Sequence, residues 1–222
     1  MKKLFKQFYI KLFGRQLRKP SGFMANAVGE KMNKANAFMY GKTIEYMQLQ
    51  PGSHILEIGY GNGKLFDTIF AGADDIRISG IDYSKEMYRQ ACRNNMQLIA
   101  KQKLFLYYGS SDNMPFKNES FDKVFCINVI YFWNEPANHL QEIYRLLKPG
   151  GIFFATIRSK KNMQQMPFTK QGFTLYEEDE WKEILSLNGF VFAGSAKISE
   201  PPVEVNGKSF QLESVCIAAA KS

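Results

Sequence analysis

The sequence predicts an α/β fold: a doubly wound, mostly parallel sheet with helices on both faces. Three observations support it. Short apolar runs alternate with helical patterns of roughly 10–15 residues, as in βαβ units. One such run (Ile55, Leu56, Ile58) stops abruptly at Gly59, Gly61 and Gly63, and a helical pattern begins at Lys64; this reads as a buried strand, a tight turn and a helix start. At 222 residues the chain can bury one sizeable core and is too short for two comfortable ones.

Residues 1–19 carry Lys2, Lys3, Lys6, Lys11, Arg15, Arg18 and Lys19 and no acid, interleaved with Leu4, Phe5, Phe8, Tyr9, Leu12 and Phe13. The apolar spacing predicts a basic amphipathic helix. The chain's net charge is +8, so nearly all the excess belongs to this segment and the remaining body is close to neutral. Lys6 and Lys11 interrupt the apolar core that a secretory signal needs, and no run of about 18 apolar residues could span a bilayer. Three uses stay open for the segment: packing on the domain, peripheral attachment to an anionic membrane, or contact with RNA or a partner protein.

Residues 20–52 form an expected helical cap, with a helical run over 32–40 and the turn Gln50-Pro51-Gly52-Ser53 leading into the first strand. Residues 53–222 form the main domain. A second apolar run (Ile76, Ile78, Ile81) ends in Asp82, 19 positions beyond Gly63. Ser84 is a natural N-cap for the next helix. Further strands are expected over 104–108, 120–128 and 152–157, the last entered through Lys148-Pro149-Gly150-Gly151, where proline stops a helix and glycines reverse the chain. Strands over 190–198 and 210–220 flank Asn206-Gly207, a strong hairpin signal.

Glycines at alternate positions let the backbone take positive φ and let a ligand approach the main chain. A carboxylate ending the second strand, here Asp82, suits a ribose diol. Together they describe a nucleoside-binding unit. A dinucleotide fingerprint needs G-x-G-x-x-G, and Lys64 stands at the third-glycine position; a phosphate-cradling P-loop needs Ser or Thr after Gly-Lys, and Leu65 stands there. Both phosphate readings are weak, and a purely structural glycine turn is the remaining alternative.

The spelling Glu57-x-Gly59-x-Gly61-x-Gly63 resembles the first motif of class I S-adenosylmethionine-dependent methyltransferases, of the small-molecule (quinone, sterol and lipid) type. Four further stretches resemble later family motifs in the right order: Gly80-Ile81-Asp82-Tyr83, Gly109-Ser110-Ser111-Asp112, Phe121 to Asn128, and Leu140 to Gly151. The resemblance implies a Rossmann-like seven-stranded sheet with an antiparallel last strand and N-terminal helices over the cofactor. It implies S-adenosyl-L-methionine held by Glu57, Gly59, Tyr60, Gly61, Gly63, Asp82, Tyr83, Met87, Ser110, Ser111, Asp112, Asn128 and Val129. Asp82 would take the ribose, Tyr83 the adenine face, and Ser110 to Asp112 the adenine edge. The family usually has an acid where this chain has Ser110, which weakens that contact.

The function implied is in-line methyl transfer to a small-molecule acceptor, apolar or lipid-like. Tyr131 and His139 are the nearest general-base candidates by chain position. Tyr40, Tyr131 and Arg158, with Asn33 and Asn36, are candidates to touch the acceptor. The irregular stretch 158–176, with Lys160, Lys161, Met163, Met166, Phe168 and Lys170, is expected to form part of its site. Asn128-Val129-Ile130-Tyr131 lacks both prolines of the Asn-Pro-Pro-Tyr motif of amino-group methyltransferases. The alternative is an S-adenosylmethionine-binding protein with an RNA or protein target, or without catalysis; the near-neutral body disfavours a nucleic-acid track. Cys92, Cys126 and Cys216 are widely spaced, no metal-ligand cluster is visible, and a reducing cytoplasm is the default expectation.

Overall fold

The structure, a computed structural model, describes residues 2–205 and 208–222. Seven strands form one sheet: β1 (His54–Ile58), β2 (Arg77–Asp82), β3 (Leu104–Tyr108), β4 (Phe121–Ile127), β5 (Leu147–Arg158), β6 (Phe190–Ser199) and β9 (Glu213–Lys221). Their order is β3-β2-β1-β4-β5-β9-β6. The pairs among β1 to β5 are parallel, whereas β9 runs antiparallel to both β5 and β6. The chain winds from β1 outward to β3, then returns to start β4 on the other side of β1. Adjacent loops after β1 and β4 therefore diverge, and open α/β sheets hold ligands in the crevice this leaves.

The side chains of each strand alternate between two cores. Leu56, Ile58, Val124, Cys126, Phe153 and Ala155 join one cluster with Leu140 and Ile143 of α6 (Pro136–Leu146) and Trp181 of α8 (Glu178–Leu187). Ile55, Ile78, Phe125 and Phe154 join the other with Met39, Ile44 and Met47 of α2 (Ala25–Met47), Phe66 and Ile69 of α3 (Phe66–Phe70), and Ala91 of α4 (Lys85–Asn94). Both faces are buried, so the strands read as continuous apolar runs.

Local chemistry sets the boundaries. The Ser84 hydroxyl accepts from the Met87 amide at 3.2 Å and caps α4. Helix α3 begins at Phe66 instead of Lys64, because the glycine turn continues through Leu65. Pro149-Gly150-Gly151 lies inside β5 as an irregularity: Phe121 pairs with Leu147 and Lys123 with Ile152, with Gly150 at φ +72° between.

The C-terminal hairpin differs from expectation. β6 does not turn directly into the last strand; Pro201-Pro202 cannot donate to a ladder, and a separate two-stranded ribbon follows, β7 (Val203–Val205) with β8 (Lys208–Phe210). Phe210 therefore pairs with Val203, and the last sheet strand starts at Glu213. Asn206-Gly207 lies outside the described residues.

The N-terminal residues form α1 (Lys2–Arg18), a short 3-10 turn at Gly22–Met24, and α2. α2 crosses the sheet face, where Thr43 and Thr156 share a buried hydrogen bond of 2.8 Å. α5 (Met96–Ala100) follows α4, and the stretch after β5 holds a short helix, α7 (Lys160–Gln164), and a 3-10 turn at Pro167–Lys170 that packs beside α1.

Candidate active site

The glycine loop follows β1 at the sheet's switch point. Gly59, Gly61 and Gly63 have φ of +79°, +60° and +70°, a region where L side chains are strained. Two of them also lack room: a Cβ on Gly59 would lie 2.5 Å from Val129, and one on Gly63 would lie 2.7 Å from Asn95. Gly61 differs. A Cβ there would meet nothing within 4 Å, because Gly61 borders a cavity of about 400 Å³. Asn62, which sequence reasoning missed, is buried and ties the loop down: its side chain accepts from Asn33 at 2.8 Å, and its carbonyl accepts from Asn94 at 2.8 Å.

Asp82 closes the loop from β2. One carboxylate oxygen accepts from the Gly61 amide at 2.8 Å and the other from the Ser84 amide at 2.7 Å. Burial pushes its pKa up to about 6, against the lowering effect of those two amides. Each oxygen retains a second lone pair.

The same cavity is lined by Tyr83, Met87, Gly109, Ser110, Ser111 and Asp112 on one side and by Asn128, Val129, Phe132 and Trp133 on the other. Asn128 takes φ +57°, a conformation asparagine tolerates better than most residues. Its side chain bridges to Asn36 at 3.1 Å, joining the β4 loop to α2. His139, on α6, borders the cavity; Nδ1 is 2.8 Å from the Ser111 hydroxyl and the ring stacks on Trp133 at 4.6 Å. Burial lowers its pKa, so the imidazole is neutral at physiological pH.

Several expected site residues lie elsewhere. The Tyr131 hydroxyl accepts from the Arg158 amide at 2.7 Å and has Asn128 and the Arg158 carbonyl at 3.2 Å as acceptors. It is buried beside the cavity rather than lining it, and burial raises its pKa, so it is not placed to act as a base. Arg158 is committed: its guanidinium grips Glu200 at 3.0 and 2.9 Å and donates to the Ala35 carbonyl at 2.6 Å. None of residues 158–176 lines the main cavity. Tyr60 buries its ring against Gly80 and donates to the Tyr107 carbonyl at 2.9 Å.

Glu57 and Tyr40 face a smaller adjoining cavity of about 40 Å³, which Asn33 and Asn36 also line. The Tyr40 hydroxyl donates to Glu57 at 2.7 Å. Burial raises the Glu57 pKa to about 8, opposed by that hydrogen bond and assisted by the Asp82 charge. His54 sits at the far end of β1, between the Ser120 carbonyl and the Ser79 hydroxyl.

A further contribution comes from the N-terminus. Leu17, Arg18 and Pro20 line the main cavity. Arg18 donates to the Phe132 carbonyl at 3.2 Å, Lys19 lies 4.0 Å over the Tyr83 ring, and Ser84 donates to the Pro20 carbonyl at 2.5 Å. The segment therefore straps the loops after β2 and β4 together across the opening. Its only sequence signal is the Pro20-Ser21-Gly22 break after a basic helix.

Residues 56–155 match the family described as methyltransferase domain. The uncharacterized methyltransferase YdaC of Bacillus subtilis (strain 168) is 30% identical over 119 residues, covering 54% of this chain and 64% of that protein. The chain thus spans just under two thirds of that relative's length. The demethylmenaquinone methyltransferase of Lactococcus lactis subsp. lactis (strain IL1403) is 28% identical over 181 residues, covering 78% of this chain and 69% of that one. A chain from the complex between the Haloferax volcanii Trm112 methyltransferase activator and a methyltransferase superposes with TM-score 0.75 at 19% identity, over 94% of this chain and 97% of that chain. The chain is thus similar to class I methyltransferases, in sequence over residues 56–155 and in the fold of its sheet.

The donor that this similarity implies is S-adenosylmethionine, and the residues present fit it. Gly61 leaves free the space a Cβ would fill, Asp82 keeps lone pairs unused at the cavity's edge, and a cavity of about 400 Å³ is in the range of small-molecule sites. Among the described residues no group of three His, Cys, Asp or Glu is placed to hold a metal. No described helix is long and apolar enough to cross a membrane.

Proposed function

We propose that this protein is an S-adenosylmethionine-dependent methyltransferase acting on a small, largely apolar acceptor. The observation that carries this reading is the junction of Gly61 and Asp82: an open backbone position and a buried carboxylate, joined by one hydrogen bond at the mouth of the cavity. Bound there, the donor supplies a methyl group on a sulfonium, which leaves as a neutral thioether. Asp82 would hold the ribose hydroxyls, Gly59 to Gly63 would pass along the methionine part, and Tyr83, Ser110, Ser111 and Asp112 would border the adenine.

The chain's own residues contribute position and an apolar wall. Asn128, fixed by Asn36 and Tyr131, and Val129, seated against Gly59, shape the cavity's far wall. Phe132, Trp133, Met32 and Leu17 supply an apolar patch, beside Arg18, Asn134, Glu135 and Asn138, that suits the apolar part of an acceptor. Orientation of two bound reactants can contribute about 7–11 kcal/mol to rate. His139 offers a neutral imidazole, and its contact with Ser111 supports a position beside the loop that would border the adenine. The apolar lining and a relative named for demethylmenaquinone favour a quinone- or lipid-like acceptor over an RNA or protein target. Three free thiols, two of them buried, suit a reducing cytoplasm, and peripheral membrane contact through residues 1–19 is developed below.

Calorimetry with S-adenosylmethionine and S-adenosylhomocysteine tests the donor site, and transfer of a labelled methyl group to demethylated quinones tests the acceptor class. Undetectable binding of both nucleosides to the wild-type protein would sink the reading. Binding without transfer to any small phenol or quinone, alongside methylation of RNA or protein, would replace the acceptor.

A further inference from the structure

Helix α1 is divided along its length. Its C-terminal half is seated on the domain: the Phe13 ring meets Phe168 edge-on at 5.7 Å, and Gly14 packs so closely that a Cβ would lie 2.9 Å from Gln171. Its N-terminal half overhangs. Phe5, Phe8 and Tyr9 are 76%, 66% and 52% exposed. Spaced i, i+3 and i+4, these rings share one side of the helix and continue the stripe that reaches Leu12 and Phe13. Exposed rings in a contiguous stripe mark a surface that something covers.

We infer that the overhanging half of α1 docks on the surface of an anionic lipid bilayer, with the rings of Phe5, Phe8 and Tyr9 inserted between the headgroups. Charge selects this occupant. Residues 1–19 hold seven basic side chains and no acid, and each lysine or arginine near an anionic membrane surface adds attraction. A second copy of the chain would bring two such segments together and set like charge against like. A nucleic acid would need a basic track continuing over the domain, whereas the rest of the chain is nearly neutral. The helix is too polar to cross the bilayer and has the composition of one that lies in its plane.

The docking has a consequence that rests on the methyltransferase reading. Phe5 and Leu17 lie on one helix, about 18 Å apart at 1.5 Å per residue, and Leu17 lines the cavity. A helix lying in the interface would hold the cavity's rim at the lipid surface, where an apolar acceptor is dissolved.

The test is co-sedimentation of the full chain with vesicles of phosphatidylcholine alone and of phosphatidylcholine with phosphatidylglycerol. Binding is expected only to the anionic vesicles, and it should weaken as salt is raised. The Phe5→Ser/Phe8→Ser variant should bind at least about tenfold more weakly, with unchanged melting temperature because both rings are exposed. No binding to phosphatidylglycerol vesicles, or full binding by the double variant, would overturn the inference. So would a concentration-dependent dimer abolished by the same variant, or an RNA oligomer that anionic vesicles fail to displace. Calorimetry with S-adenosylmethionine on the same samples separates the two claims, because vesicle binding needs no methyl donor.

Discussion

Asp82 is the residue on which binding and stability can be separated most sharply. Replacing it with alanine removes the acceptor for the Gly61 and Ser84 amides, bonded at 2.8 and 2.7 Å. Leaving a buried donor unpaired costs about 1–3 kcal/mol; Asp82 is only 9% exposed, so two such losses amount to about 2–4 kcal/mol once water relieves part of them. At about 2–4 °C per kcal/mol for a chain of this size, the melting temperature should fall by roughly 4–16 °C below about pH 5, where the folded carboxyl is still largely protonated. Ribose hydroxyls donating to the carboxylate would form charge-assisted bonds of about 1.5–3 kcal/mol each. Losing two should weaken donor binding by roughly 10²–10⁴-fold, measured by calorimetry below the lowered melting temperature.

The pH dependence supplies a second, opposed signature. The folded Asp82 carboxyl titrates near 6, above its ordinary value of 3.8, because burial disfavours the charge. Its stability contribution is therefore fully present below about pH 4 and is lost as pH rises through about 6. Hydroxyl donation favours the ionised form, so donor affinity should rise through the same window and level off above it. Calorimetry near pH 5.5 in buffers of different ionisation enthalpy should register proton release on binding, and Asp82→Asn should abolish that release. Affinity that is flat from pH 5 to 8 in the wild type, or an unchanged slope in Asp82→Asn, would refute the placement of the diol.

Other outcomes follow from the same geometry. Gly61→Ala should fold with a cost of about 1 kcal/mol from its positive φ alone yet lose donor binding; Gly59→Ala should be more destabilising, since its Cβ would collide with Val129, and Val129→Ala should rescue part of that loss in thermal melts. Tyr40→Phe removes the hydrogen bond to Glu57, whose carboxyl titrates near 8; the stability lost should be larger at pH 9, where a buried carboxylate is left unpaired, than at pH 6. Arg158→Met leaves the buried Glu200 carboxylate without its partner and should cost about 3–5 kcal/mol, measured by denaturant unfolding, while donor affinity at low temperature changes little because Arg158 does not line the cavity.

The parts of this protein legible in its sequence are those set by neighbours in the chain. Three glycines spaced by two can sit in neither a helix nor a strand without penalty, so the loop, the strand before it and the carboxylate after the next strand announce themselves. Strands β1 to β4 fall within a residue of their apolar runs for the same reason. What stayed hidden depends on partners distant in sequence. Arg158 reads in the sequence as a candidate to touch the acceptor, whereas Glu200, 42 residues on, grips it. Tyr131 lies three residues from Asn128, close enough to suggest a shared pocket, but the 3-10 turn at Ile130–Phe132 rotates its ring into the core. The Leu17–Pro20 strap is the deeper case. Basic and apolar residues in a terminal helix specify a surface-seeking segment, and nothing local says that its last turn will cross the opening of a cavity built from loops far along the chain. That crossing makes α1 part of the site, because any displacement of the helix must break the Arg18, Lys19 and Pro20 contacts that hold the loops after β2 and β4 in place.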